Sequence, residues 1–170
     1  MRDQKHAEMM RAYVEWYRNT YKVEDTHDVE VEIEVPFNWY GERGFVDLLA
    51  KRTVPVYAPF VGRNPEFKII GKACFYGICE LKTRIEDLGE TIRQIRRAKE
   101  FFPLARGLLK RHCFGWLVLL DTSDNQCCFK ENEELLKAAG IETRFFDPSS
   151  SRVGSTWSPP IAPSRRVEGG

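Results

Sequence analysis

Residues 69–102, IIGKACFYGICELKTRIEDLGETIRQIRRAKEFF, read as a β-strand ending in Glu80-Leu81-Lys82, a short polar turn and an amphipathic helix. Side chains alternate along a strand, so Glu80 and Lys82 project from one face while Cys79 and Leu81 point to the other. A carboxylate and an ammonium therefore share a surface. In the helix, Leu88, Ile92, Ile95, Ala98, Phe101 and Phe102 form the stripe directed at a core, and Asp87 is placed to cap the first turn. Upstream, residues 44–50, GFVDLLA, set Asp47 inside an apolar strand-like run. Acidic residues are depleted in such runs, and a desolvated charge there needs a compensating partner.

Outward from this stretch, residues 2–22 predict a helix whose Met9, Ala12, Tyr13, Trp16 and Tyr17 recur every three or four positions. Residues 29–35, VEVEIEV, alternate, placing Val29, Val31, Ile33 and Val35 on one face and Glu30, Glu32 and Glu34 on the other. Pro36 is expected to end that strand, and turn residues 38–44 join it to the Asp47 strand as an antiparallel hairpin. Residues 54–65 carry Pro55, Pro59, Gly62, Asn64 and Pro65 and read as a loop or loosely ordered insertion.

Beyond the organising stretch, Pro103 is expected to interrupt the helix, with residues 104–111 as a second helical piece. The run FGWLVLLD (114–121) suits a strand covered on both faces. A helix around 129–139 closed by Gly140 and a short strand over 141–146 follow. Residues 148–170 are rich in Ser, Pro and Gly and read as a disordered tail, in which Trp157 and Arg165-Arg166 are candidate partner contacts. The expectation is a single α/β domain over 1–147, a central mixed β-sheet flanked by α-helices, followed by that tail.

At 170 residues and 42% hydrophobic content the chain can bury a sizeable core. No run approaches the ~20 apolar residues of a membrane-spanning helix, and the N-terminus is charged throughout, so a soluble cytosolic protein is expected with no membrane partner. Five cysteines, without a C-x-x-C pair, read as mostly buried reduced thiols. The formal net charge is only +1, but basic residues gather after the Glu-Leu-Lys strand: Arg84, Arg93, Arg96, Arg97 and Lys99. Such a group either tracks phosphates or forms a solvated helix face.

An Asp on one strand and a Glu on the next can converge on a divalent cation of the Mg²⁺ type, which takes hard oxygen ligands. With Lys82 to support a water, this is a set of groups suited to phosphodiester hydrolysis. The simpler reading is an exposed Glu80–Lys82 ion pair, worth little, and an Asp47 paired with Arg43 or Lys51.

Asp47, then Glu80-Leu81-Lys82, then a helix bearing Gln94 resembles the PD-(D/E)XK nuclease superfamily over about residues 1–147. The resemblance implies a restriction-endonuclease-like fold. It implies Mg²⁺ or Mn²⁺ held by Asp47, Glu80 and the Leu81 carbonyl, with Lys82 supporting the attacking water. Val46 stands where the family often has Pro. Gln94 matches the glutamine of exonuclease-like branches, while Ala98 occupies the place of their tyrosine. DNA is the implied partner, with RNA and the choice of endo- or exonuclease left open. A homodimer is compatible with a domain of this size. The competing reading is a non-catalytic nucleic-acid-binding or assembly module that keeps the fold.

Overall fold

A computed structural model describes residues 4–22, 27–58 and 68–155. Among them the chain forms α1 (Gln4–Tyr21), β1 (Asp28–Trp39), β2 (Glu42–Ala58), β3 (Lys68–Lys82), α2 (Leu88–Arg106), β4 (Cys113–Leu120), α3 (Ser123–Ala138), β5 (Ile141–Asp147) and β6 (Arg152–Ser155). The strands make one sheet in sequence order. The first three are antiparallel, β3, β4 and β5 run parallel, and β6 returns antiparallel to β5. Parallel neighbours need a crossover, which α2 and α3 supply. The expected mixed sheet flanked by helices is the observed architecture. No helix among the described residues is long and apolar enough to cross a membrane.

The alternation of strand side chains divides the core into two layers. Cys79, Leu81, Trp116, Val118, Leu120 and Phe146 meet Met9, Tyr13 and Tyr17 of α1. Their neighbours Ile78, Leu117, Leu119 and Phe145 belong to the clusters containing Ile92, Ile95, Ala98 and Phe102 of α2 and Phe129 and Leu136 of α3. Strand β4 is buried at every position but Phe114, as its unbroken apolar run requires. Arg144, also buried, lays its guanidinium 4.1 Å from the Trp116 ring centroid and donates to the Tyr13 hydroxyl at 3.2 Å.

One break in this alternation sets up the site. Val29 and Val31 pack on the α1 side, but Val35 and Phe37 lie in the α2 cluster, and Ile33 is 47% exposed. The strand changes face at Glu34, whose φ is +55°. In β2 the same crossover occurs directly opposite: Leu48 and Ala50 face α1, whereas Val46 and Leu49 face α2. Pairing resumes in the same register on both sides, Ile33 with Leu48 and Val35 with Val46. Glu34 and Asp47 therefore stand opposite one another at the point where both strands turn over. The four apolar residues of 29–35 do not share one face.

The prolines misled the sequence reading in three places. Strand β1 continues through Pro36 to Trp39, because it is an edge strand and tolerates a missing donor. Strand β2 continues through 54–58, Pro55 included. Strand β1 begins at Asp28, opposite Thr53, so among the described residues β2 has no β1 partner from Val54 onward. The remainder of the expected loop lies outside the described residues. Helix α2 runs through Pro103 to Arg106 and is closed by Gly107 (φ +63°), with the Leu108 N–H bonding the Pro103 carbonyl at 2.8 Å. Only three residues of the expected second piece are helical, followed by a 3₁₀ turn at Lys110–His112.

Elsewhere, Thr122 caps α3 through Asn125 N, so the helix starts earlier than 129. Strand β6 carries the sheet to Ser155, past the expected boundary at 147. The rest of the expected tail lies outside the described residues. No two cysteines are paired; Cys79 and Cys113 are buried and Cys127 is exposed.

Gly77 lies against the Trp116 ring, and a Cβ built there would run into three of its atoms. Trp116 is held on its other sides by Tyr17 and Arg144. Gly77→Ala is expected to lower unfolding free energy by about 1–3 kcal/mol, read as a shifted urea midpoint with an unchanged m-value.

Candidate active site

The face change in β2 delivers Asp47 to the middle of the sheet, 5% exposed, beside the end of β3. Its Oδ2 accepts the Leu81 N–H at 2.8 Å. Glu80, 1% exposed, points to the α2 side, where Gln94 Nε2 donates to its Oε1 at 2.9 Å and also to the Phe45 carbonyl. Gln94 thus ties α2 to both catalytic-candidate strands at once. Lys82, two residues along and on the same face, brings Nζ to 3.6 Å from Glu80 Oε2 while remaining about one-third exposed. The structural pairing considered for Asp47 is not made with Lys51, which instead holds Glu30 at 3.1 Å on the exposed face.

A residue that sequence reasoning passed over completes the cluster. His6, on the first turns of α1, sets Nε2 3.1 Å from the Leu81 carbonyl oxygen and 3.4 Å from Asp47 Oδ2. A carbonyl only accepts, so Nε2 carries the proton and donates. Two of the three groups expected to bind a cation, the Asp47 carboxyl and the Leu81 carbonyl, are thus gathered around one polar atom. Nothing in the pattern of α1 distinguishes this histidine from a surface one; only the docking of α1 on β3 brings it in.

The electrostatics follow from two carboxyl groups on neighbouring strands. Burial, reinforced by the charge of Asp47 and a side-chain hydrogen bond with it, pushes Glu80 up to about 8 even with Lys82 pulling the other way. Burial acts on Asp47 in the same sense, yet the His6 and Leu81 hydrogen bonds and the Lys82 charge outweigh it and hold its carboxyl below the usual range. At neutral pH the pair therefore keeps a proton, on Glu80, hydrogen-bonded to an ionised Asp47. Among the described residues no three His, Cys, Asp or Glu side chains form a ready cage for a metal. The donor set that does converge is two carboxylates and the Leu81 carbonyl, hard oxygens that fit Mg²⁺ or Mn²⁺ with waters completing the shell.

The basic residues divide. Arg93 pairs with Glu90 at 2.8 Å, and Arg97 with Glu42 at 2.8 Å and Glu90 at 3.8 Å. Lys99 is half-buried, reaching toward the Gly140 carbonyl at 3.4 Å, and burial holds its ammonium below the usual lysine range. Arg84 and Arg96 are exposed and make no ion pair among the described residues. The basic stretch is thus less a bare cationic stripe than a set of exposed pairs with two uncommitted guanidiniums.

No family model and no curated protein matches the chain. Among solved structures it is similar to an XisH family protein from Nostoc punctiforme, with a TM-score of 0.52 and 10% identity, over 87% of this chain and 97% of that one. At that identity the likeness is one of fold.

Between pH 4.5 and about 8 the folded protein retains a Glu80 proton that the unfolded chain has released. Metal-free stability should therefore fall as pH rises through this window. Asp47 acts oppositely, its contribution being lost only as pH drops below about 3.8. In EDTA, wild type is expected to lose on the order of 2 kcal/mol between pH 6 and 9, and Glu80→Gln to remove most of that slope in urea titrations. A wild-type stability independent of pH would refute the shared proton.

Proposed function

We propose that the chain is a metal-dependent nuclease of the PD-(D/E)XK kind, hydrolysing phosphodiester bonds of DNA. The observation that supports this best is the pair of buried carboxyl groups, Asp47 and Glu80, facing a lysine 3.6 Å away and held by Gln94 and His6. A purely structural carboxylate pair would gain nothing from such burial, because one member must stay protonated. Perturbed acids gathered with a lysine are what a hydrolytic site needs.

Asp47, Glu80 and the Leu81 carbonyl would hold Mg²⁺ or Mn²⁺, which when bound polarises a phosphoryl oxygen and acidifies a coordinated water. Lys82 is the positioning and charge-offsetting group. Its ammonium, at the exposed edge of the site, orients the attacking water and stabilises negative charge developing on the phosphoryl oxygens. The water oxygen forms the new bond to phosphorus and gives up a proton to solvent, the bond to the leaving oxygen breaks, and that oxygen takes a proton from solvent. Gln94 fixes the rotamer of Glu80, and His6 fixes the Asp47 and Leu81 oxygens relative to each other. Arg84 and Arg96 are the groups best placed by charge to meet backbone phosphates, with the Arg93 and Arg97 pairs able to exchange a glutamate for a phosphate and Lys99 as a flanking charge. DNA rather than RNA as substrate, and a homodimer as the arrangement for cutting two strands, belong to the same proposal.

With Mn²⁺ or Mg²⁺, wild type is expected to convert supercoiled circular DNA to nicked or linear product, or to degrade linear DNA from its ends. Asp47→Ala, Glu80→Ala and Lys82→Ala should each lower the rate by about 10²-fold or more; the Glu80 and Lys82 variants should keep an unfolding midpoint close to or above that of wild type, while Asp47→Ala lowers it because the buried Leu81 N–H loses its acceptor. Gel assays on circular DNA, linear DNA and RNA distinguish the substrate and the mode of cleavage. Unchanged cleavage in all three variants would sink the assignment.

A further inference from the structure

Strand β3 loses its partners at the end that carries the site. Among the described residues its pairing with β2 stops at Cys79, opposite Leu48, and its pairing with β4 stops at Lys82, opposite Leu119. On the β2 side a side chain takes over from the ladder, since Asp47 Oδ2 accepts the Leu81 N–H at 2.8 Å. The β4 side has a counterpart in Asn125. Its Nδ2 donates to the Thr83 carbonyl at 3.1 Å and to the Leu120 carbonyl at 2.8 Å. Carbonyls only accept, so these two contacts fix which way the amide faces. Thr83 and Leu120 each follow the last β3–β4 pair. Asn125 thereby adds a side-chain rung to the ladder one step past Lys82.

Nothing in α3 itself asks for an asparagine at this position. Thr122 already caps the helix, its Oγ1 accepting the Asn125 N–H at 3.3 Å. Asn is an indifferent helix former, and an amide only 2% exposed costs free energy unless its groups are bonded. The two carbonyls are what the side chain is placed for. Their position bears on Lys82, whose side chain is about one-third exposed and whose Nζ makes only a long contact, 3.6 Å, with Glu80 Oε2. A flexible four-carbon stem is aimed chiefly by the backbone it leaves from, and a strand end without ladder partners frays.

We propose that Asn125 is a positioning residue for Lys82: by tying the Thr83 carbonyl to the end of β4, it holds the β3 terminus so that the ammonium stays beside Glu80 and the attacking water. Asn125 acts through Lys82 and takes no part in holding the cation. Its effect on cleavage rests on the nuclease assignment, whereas its hold on Lys82 does not.

The test compares wild type with Asn125→Ala, and with Asn125→Ser, which keeps one donor, in case the alanine variant folds poorly. Carbon-13 relaxation at Cε reports the mobility of each lysine side chain, and Lys82→Arg identifies the Lys82 signal. In wild type Lys82 should be markedly more ordered than the exposed Lys130. In the Asn125 variants it should become as mobile as Lys130. Single-turnover DNA cleavage should slow about 10-fold or more while the calorimetric Mn²⁺ affinity stays within about two-fold of wild type, because a misplacement of ~1 Å at a reacting group costs up to ~10²-fold in rate. A wild-type Lys82 as mobile as Lys130 would overturn the proposal, as would order at Lys82 that survives the loss of the amide. So would full-rate cleavage by a variant whose Lys82 has become mobile. A Mn²⁺ affinity that falls in step with the rate would also overturn it, by assigning Asn125 to the carboxylate site as a whole. If wild type cleaves no DNA, the nuclease assignment fails, and the relaxation data alone decide whether Asn125 holds Lys82.

Discussion

Asp47 and Glu80 stand on neighbouring strands, both buried, with a hydrogen bond between their carboxyl groups, and much of the surrounding structure serves to keep them there. Two like charges at that separation in a poorly solvated interior cannot both be ionised, so without a cation one proton is retained. Every contact in the cluster bears on that constraint. The Leu81 N–H and His6 favour the ionised form of Asp47, and burial keeps the proton on Glu80. Lys82 supplies a positive charge that is too far and too exposed to neutralise the pair fully. A divalent cation would replace the proton with a stronger and better-directed charge, and the site's chemistry follows from that exchange.

The fold creates this arrangement through a local departure from β regularity. An Asp in a regular strand would take its turn on one face of the sheet. The paired reversal at Glu34 and Asp47 instead leaves the Asp47 carboxyl between the layers, within reach of the β3 backbone and of α1. Irregular backbone of this kind is common where a side chain must be aimed instead of merely buried. Helix α1 covers one side and contributes His6, and α2 covers the other and contributes Gln94. The site is thus assembled from four elements that are far apart in sequence but adjacent in the sheet.

Much of this was readable in the chain. The period-two pattern around Glu80 and the unbroken apolar run of β4 gave the mixed sheet and its middle, because both patterns report burial directly. The shared face of Glu80 and Lys82 followed from strand geometry, and the oddity of an Asp in GFVDLLA drew attention to position 47. What escaped was whatever depends on neighbours. Pro36, Pro55 and Pro103 are breakers only where their missing N–H is needed, and edge strands and a last helical turn do not need it. The face change at Glu34 breaks the very alternation from which the strand was read. His6 carries no local signal, and the ion pairing of Arg97 with Glu42 depends on Glu42 being brought across from β2.

The central claim is that the Asp47–Glu80 pair exchanges a proton for a divalent cation. The most direct measurement is calorimetric titration of Mn²⁺ into the protein at neutral pH, repeated in buffers of differing ionisation enthalpy. Release of close to one proton per bound ion, seen as a binding enthalpy that tracks the buffer, is the predicted result, with binding abolished or made buffer-independent in Glu80→Gln. Absence of Mn²⁺ binding in wild type, or binding with a heat that ignores the buffer, would contradict the account and leave the two carboxyl groups as a structural pair.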